Sequence, residues 1–368
     1  MDIVKKHPHF TLEIHFRAEN ERLGLLGASG CGKSMTLKCI AGILTPDSGR
    51  IVINGKTVFD SRQKINVPPR LRHTGYLFQH YAIFPTMTVR ENMAIVLRRL
   101  PKLEQKRQID EMLEKMRLQD VGERKPAQLS GGQQQRAAMG RMLVSSPEII
   151  LLDEPLSALD SFLSLAVEAE LTEMLANFGG TILFVSHNRD EIYRICQRIV
   201  VLDRGKIAAF GTTEELFRNP GTLAAARLTG VKNIAPAFAA GIRKIHVPAW
   251  GITLETECEA PSEMTHAAIR AHHIREALDN ETTNCFDFYV QRKQSEPFKI
   301  QEYLTTVSPM IAPENYSVCV KPYERLPLIR LISGAHDPIF TPEKTGLWKR
   351  LCLPPKYVML LQERFVAR

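Results

Sequence analysis

The sequence predicts an α/β fold built on a parallel sheet and followed by a smaller β-rich region. Three observations carry this. The stretch Gly27-Ala28-Ser29-Gly30-Cys31-Gly32-Lys33-Ser34 fits G-x-x-x-x-G-K-[ST] at every fixed position. It lies between an apolar strand-like run, Leu23 to Leu26, and a helical stretch, Met35 to Ile43, with Leu37 and Ile40 on one face. Further along, the apolar runs Ile149–Leu152, Thr181–Val185 and Ile199–Leu202 alternate with helical stretches from about Phe162 to Asn177 and from Arg189 to Cys196. Strands alternating with helices give a parallel sheet covered on both faces.

The glycine-rich loop defines a phosphate cradle. Its glycines let the backbone curl so that several N–H groups face one anion, and the following helix adds its positive dipole end. Gly27, Ala28, Ser29, Gly30, Cys31, Gly32, Lys33, Ser34 and the following Met35 are the expected phosphate- and nucleotide-binding positions. Lys33 is expected to reach the terminal phosphates and Ser34 to ligate Mg²⁺. A chance glycine-rich turn is the plainer alternative; the matching strand and helix weigh against it.

Taken in order, Phe10 to Phe16 alternates apolar and polar residues and reads as a half-buried strand. Arg50–Ile53 and Lys56–Phe59 flank Asn54-Gly55, a hairpin signal. Asp60 to Arg72 is polar and proline-containing, and is expected to be a surface loop. Gly75–Phe78 is a short buried strand ending at Gln79. From His80 to about Pro147 the character is helical, with Val89–Leu100 and Leu103–Leu118 as helices whose charges face solvent. This helical stretch, about 80–147, is an insertion within an α/β domain spanning 1–232. Residues 233–368 carry short strand-like runs such as Ile242–Val247, Gly251–Thr256, Cys285–Val290 and Tyr357–Leu361, and form a separate β-rich domain.

The chain has 368 residues, 44% of them hydrophobic, enough for two or three domains with real cores. No run of 18 or more apolar residues is present, and Met1–Pro8 lacks the apolar core of a signal peptide. Seven dispersed cysteines without a C-x-x-C pair point to reduced thiols in a cytosol. The net charge of +8 suits phosphates or anionic surfaces and equally a solvated basic face, so it selects no partner.

Ile149–Leu152 leads into Asp153-Glu154. Ligand-binding groups sit at the carboxyl ends of parallel strands. Asp153 is therefore placed to serve Mg²⁺ beside the phosphate loop, and Glu154 to polarise a water for in-line attack on a γ-phosphate. By itself such a pair is equally a strand-end turn. Leu129-Ser130-Gly131-Gly132-Gln133 reads as a helix N-cap, and a glycine-rich helix N-terminus is also a second anion site. One nucleotide already has the phosphate loop, so the economical place for the second site is against a nucleotide held by another subunit.

These residues together carry a family resemblance. Residues 1 to about 232 resemble ABC-transporter ATPase subunits, members of the P-loop NTPases with antiparallel β and helical subdomains. The phosphate loop matches; Gln79 stands at the Q-loop position; Ser130, Gly131, Gly132 and Gln133 match the signature sequence; and Ile149–Glu154 matches the Walker B strand. Ser157-Ala158-Leu159-Asp160 resembles the D-loop, and His187 the switch histidine. The resemblance implies that Glu154, His187 and Gln79 are catalytic. It also implies that Ser34, Gln79 and Asp153 serve Mg²⁺, and that Ser130–Gln133 meets ATP in trans. Adenine stacking has Phe10 as its nearest candidate, and Met35 replaces a common threonine with no expected loss of Mg²⁺ binding.

Importer ATPases of the anion, sugar and polyamine types carry C-terminal β-rich regulatory domains of the OB or TOBE kind. The short lead-in to the phosphate loop resembles molybdate-importer ATPases, as does the run from Arg50 through Val67-Pro68-Pro69-Arg70 to Gln79. Ala268–Ile274 resembles a divergent motif of such C-terminal domains, and its His272–His273 pair is either an oxyanion site or a solvated pair. The resemblance thus implies an ATP- and Mg²⁺-dependent subunit on the cytoplasmic face of the membrane. It would form a homodimer through an ATP sandwich and work with two permease subunits and a periplasmic or lipid-anchored binding protein. The expected cargo is molybdate or a related oxyanion; sulfate, ferric iron and polyamine are the alternatives. A soluble ABC ATPase acting on DNA or ribosomes is disfavoured by the single phosphate loop and the absence of sustained heptads, so no nucleic-acid partner is expected.

Overall fold

The fold is described from a computed structural model covering residues 1–157, 161–176, 178–296, 299–305, 329–334 and 348–363. The chain divides into two compact units, Met1–Glu214 and Glu215–Arg368. The division falls before residue 232 because Ala226 and Val231 pack in one apolar cluster with Ala268, Met359 and Leu361 of the second unit.

The first unit opens with β1 (Asp2–His7), β2 (Phe10–His15) and β3 (Arg22–Gly27), then α1 (Lys33–Ala41). Next come β4 (Ser48–Ile53), β5 (Lys56–Asp60), β6 (Ile65–Asn66) and β7 (Thr74–Leu77). The helical insertion supplies α2 (Val89–Ala94), α3 (Lys102–Lys115) and α4 (Gly131–Leu143). The chain returns through β8 (Ile149–Asp153), α5 (Ser161–Ala176), β9 (Thr181–Ser186), α6 (Arg189–Ile195), β10 (Arg198–Asp203) and β11 (Lys206–Thr212).

All eleven strands join one sheet in the order β6-β5-β4-β1-β2-β11-β10-β3-β9-β8-β7. From β10 to β7 every pairing is parallel. The wing from β2 to β6 is antiparallel throughout. The parallel strands are apolar because both faces are covered: every residue of β8 and β9 is buried. Asn54 and Gly55 both take positive φ, 45° and 77°, as a tight turn joining β4 to β5 requires. Leu37 and Ile40 of α1 are buried in the same core as Leu25, Leu151, Val185 and Leu202, as the helical spacing predicts.

Three local readings change. Asp2–His7, read only as a non-signal N-terminus, is a strand that pairs with both β2 and β4. The stretch from Asp60 to Arg72 is not wholly a surface loop, since Asp60 is buried and Arg72 is 2% exposed. The helix expected over Val89–Leu100 stops at Ala94.

The second unit begins within α7 (Thr213–Arg218) and continues with α8 (Leu223–Leu228). Its strands are β12 (Asn233–Pro236), β13 (Phe238–Gly241), β14 (Lys244–Val247), β15 (Ile252–Glu255), β16 (His266–Ile269) and β17 (Arg275–Glu276). They are followed by β18 (Cys285–Glu296), β19 (Lys299–Thr305), β20 (Ile329–Gly334), β21 (Trp348–Cys352) and β22 (Met359–Leu361). These make sheets ordered β12-β16-β22, β13-β14-β15 and β17-β21-β18-β19-β20. Trp250, Ile245, Leu254, Phe288 and Leu351 centre its apolar core. The β-rich character read from the sequence is thus present.

Candidate functional site

Four neighbouring parallel strands, β3, β9, β8 and β7, place their carboxyl ends along one edge of the sheet. Each delivers a residue singled out by sequence. β3 runs straight into the phosphate loop, β8 ends at Asp153 with Glu154 next, His187 follows β9, and Gln79 lies two residues beyond β7.

The loop's glycines answer to particular constraints. Gly32 caps α1 with φ 110°, and a Cβ there would lie 2.5 Å from Leu12 Cδ1 and 3.3 Å from the Phe10 ring. A Cβ on Gly27 would lie 2.5 Å from Cys31 Sγ and 2.6 Å from the Leu202 carbonyl oxygen. Ala28, Ser29 and Gly30 are exposed, Cys31, Gly32 and Lys33 buried. Burial pushes the Cys31 thiol up, so it stays uncharged in a loop suited to anions. Lys33 Nζ donates to the Gly27 and Ala28 carbonyl oxygens at 2.8 and 3.0 Å, which holds the ammonium over the loop. Met35 packs against the core.

Two polar groups face each other across this edge. Ser34 Oγ donates to Asp153 Oδ1 at 2.7 Å, and Tyr76 Oη donates to Asp153 Oδ2 at 2.9 Å. A hydroxyl and a carboxylate in contact are hard oxygen donors of the kind Mg²⁺ takes. Burial, then Asp153, pushes the Tyr76 phenol far up, so it remains a donor. In the second group, Glu154 Oε2 lies 3.2 Å from His187 Nδ1 and accepts from Gln79 Nε2 at 3.5 Å. Glu154 has φ 49°, and its N–H donates to Val185 O at 3.0 Å. That left-handed backbone turns the carboxylate off the strand line toward Gln79 and His187. Gln79 therefore stands beside Glu154 and His187, while Ser34 and Asp153 form a separate pair of hard oxygen donors.

Ser130 caps α4 reciprocally: Gln133 N donates to Ser130 Oγ at 3.3 Å and Ser130 N to Gln133 Oε1 at 3.0 Å. Ser130 and Gly131 are exposed, and a Cβ on Gly132 would meet nothing within 4 Å. Among the described residues no hydrogen bond joins Ser130–Gln133 to the phosphate loop. Asp160 lies outside the described residues. Phe10 sits at the loop's margin beside Gly32.

Tyr76 is the residue that sequence reasoning missed. It was visible only as part of a short apolar strand, and the parallel pairing of β7 with β8 is what brings its hydroxyl to Asp153. In the second unit, His273 stacks on Tyr357 at 3.9 Å between ring centroids. Burial, then His272, Arg270 and Lys356, pushes its pKa down to about 4. A neutral, stacked imidazole is a poor oxyanion ligand.

A family profile described as "ABC transporter" matches residues 12–157. A molybdenum import ATP-binding protein, ModC, of Paramagnetospirillum magneticum is 38% identical over 221 residues, covering 60% of this chain and 61% of that protein. A spermidine/putrescine import ATP-binding protein, PotA, of Oleidesulfovibrio alaskensis is 42% identical over 216 residues, covering 58% and 56%. PotA of Bacillus thuringiensis is 39% identical over 243 residues, covering 64% and 72%. Among solved structures, a dimeric ATP-binding cassette in a post-hydrolysis state bound to ADP and Pi aligns with TM-score 0.49 and 27% identity over 58% of this chain and 96% of that one. The chain belongs to the ATP-binding proteins of ABC transporters, of the importer type. It spans 61% and 56% of the first two relatives' lengths. No helix among the described residues is long and apolar enough to cross a membrane.

Proposed function

We propose that this chain binds ATP and hydrolyses it to energise solute import. The carrying observation is Glu154 held between Gln79 and His187 at the strand ends, beside Ser34 and Asp153. The phosphate loop N–H groups and Lys33 bind and orient the β- and γ-phosphates. Ser34 and Asp153, with Gln79, would hold Mg²⁺, which would neutralise charge developing on the transferred phosphoryl group. Glu154 accepts a proton from the attacking water, and Gln79 and His187 fix the carboxylate and the water in line.

Lys33→Ala is expected to abolish hydrolysis. Glu154→Gln keeps the shape but not the base, so ATP binding survives while turnover falls roughly 10²–10⁴-fold. Near-wild-type turnover in either variant, measured by phosphate release, contradicts the assignment.

For cargo, molybdate or a related oxyanion is the reading carried by the resemblance of residues 50–79 and supported by the ModC relative. The PotA relatives support polyamine import as the second reading. Uptake of labelled molybdate and spermidine into vesicles holding this subunit with its permease separates them. We read the first unit as the ATPase domain, on the cytoplasmic membrane face, and the second as regulatory; the boundary expected at residue 232 lies inside the second unit. The arrangement also fits a homodimer with two permease subunits and a binding protein outside.

A further inference from the structure

The second unit holds a cluster that nucleotide chemistry does not use. Cys285 of β18 and Cys352 of β21 are directly opposed in register, and Cys352 is opposed on its other side by Arg275 of β17. Leu353 N donates to Asn284 O at 3.0 Å, so 284/353 is a hydrogen-bonded rung. The next rung, 285/352, is then of the non-bonded kind, with Cα atoms about 4.5 Å apart and side chains close. Both thiols converge on one acceptor: Cys285 Sγ donates to Thr283 O at 3.5 Å and Cys352 Sγ at 3.7 Å. Glu281, from the loop before β18, completes the group. Its carboxylate and the two sulfurs all lie within 4.8 Å of one another.

We propose that Cys285, Cys352 and Glu281 form a binding site for a thiophilic divalent cation of the Zn²⁺ class. Zn–S bonds of about 2.3 Å set tetrahedral ligands roughly 3.8 Å apart, so closing the cluster on an ion needs movements of about 1 Å or less. Arg275 supplies the outer support. It holds Glu281 through two bonds of 2.6 and 2.7 Å, as an outer-shell partner fixes a metal ligand. Charge also balances. Two thiolates and a carboxylate carry three negative charges; a divalent ion and the Arg275 guanidinium carry three positive ones.

Binding breaks two S–H bonds and releases both protons to water; no electrons move. An ion here would tie β17, β21, β18 and the Glu281 loop together.

The test uses the reduced full-length chain carrying Cys258→Ser and Cys319→Ser, stripped of metal. Titration with Co²⁺ is expected to give thiolate-to-cobalt charge-transfer bands saturating at one equivalent. Zn²⁺ should displace the Co²⁺ and raise Tm. Cys285→Ser and Cys352→Ser are each expected to weaken Zn²⁺ binding at least roughly tenfold, and Arg275→Gln roughly 10–100-fold with the bands kept. If Cys352→Ser fails to fold by far-UV circular dichroism, Cys285→Ser, at the less buried position, carries the test. Absence of the bands overturns the proposal, as do bands of undiminished intensity with unchanged affinity in a folded serine variant. Formation of a Cys285–Cys352 disulfide in air with equimolar Zn²⁺ present also overturns it.

Discussion

Asp153 is shared between two hydroxyls, and the one from Tyr76 is held in a partly buried position on the neighbouring strand. Tyr76→Phe removes that donor without changing the packing. Outer-shell partners are worth roughly 10–100-fold in metal affinity, so the Mg²⁺ concentration for half-maximal hydrolysis should rise by that factor while nucleotide binding holds. An unchanged Mg²⁺ dependence would remove Tyr76 from the site. His273 offers a second test at this scale. Its Nδ1 is buried with no hydrogen-bond partner among the described residues, and its pKa lies at about 4. The unfolded histidine takes a proton near its ordinary pKa of about 6.5, the folded one only near 4, so stability falls as pH drops through that window and is flat above it. His273→Gln should flatten the acid limb of Tm against pH between about 7 and 4. At this scale the sequence was most legible where chemistry is written in one motif, as at Lys33 and Ser34. It was least legible where two strands distant in sequence must first pair, as for Tyr76.

Among the elements, α1 is fixed at both ends. At its start Gly32 leaves room for Leu12; at its end Gly42, with φ 79°, leaves room for Arg72. The Arg72 guanidinium donates to Cys39 O and Ile40 O at 2.9 Å each, to Val67 O at 2.7 Å and to Asn66 Oδ1 at 2.9 Å. It thus satisfies carbonyls at the helix end and places positive charge against the negative dipole end. Arg72→Leu strands those acceptors and is expected to cost roughly 2–4 kcal/mol, read from urea unfolding, since each unsatisfied buried group costs about 1–3 kcal/mol. Unchanged stability would contradict the capping role. The sequence between Asp60 and Arg72 looks like loop because its composition is polar. What burial does to one arginine within it depends on where α1 ends, which composition does not encode. The Asn54-Gly55 turn was legible because its positive φ requirement is local.

For the whole molecule, the proposed sandwich gives a sharp expectation. Ser130–Gln133 presents an exposed, capped helix start that no described contact ties to its own phosphate loop. Glu154→Gln with ATP and Mg²⁺ should elute as a dimer and return to monomer with ADP, because a ligand stabilises the state that binds it. Adding Ser130→Arg should abolish the dimer and leave monomer ATP binding intact; a Glu154→Gln protein that stays monomeric beside its membrane subunits would sink the sandwich. The alternation of apolar runs and helices made the parallel sheet legible. The strand order was not, because β3 lies between β9 and β10, which the chain reaches far later. That order shapes synthesis on the ribosome. Arg22 of β3 pairs with Ile182 of β9, about 160 residues downstream, and its other neighbour, β10, comes later still. At ~5–20 residues per second the nascent β3 waits roughly 8–32 s with both edges open. The antiparallel β1–β2 and β4–β5 pairs can form within the first seconds, whereas the strand that leads into the phosphate loop emerges early and is among the last to be enclosed.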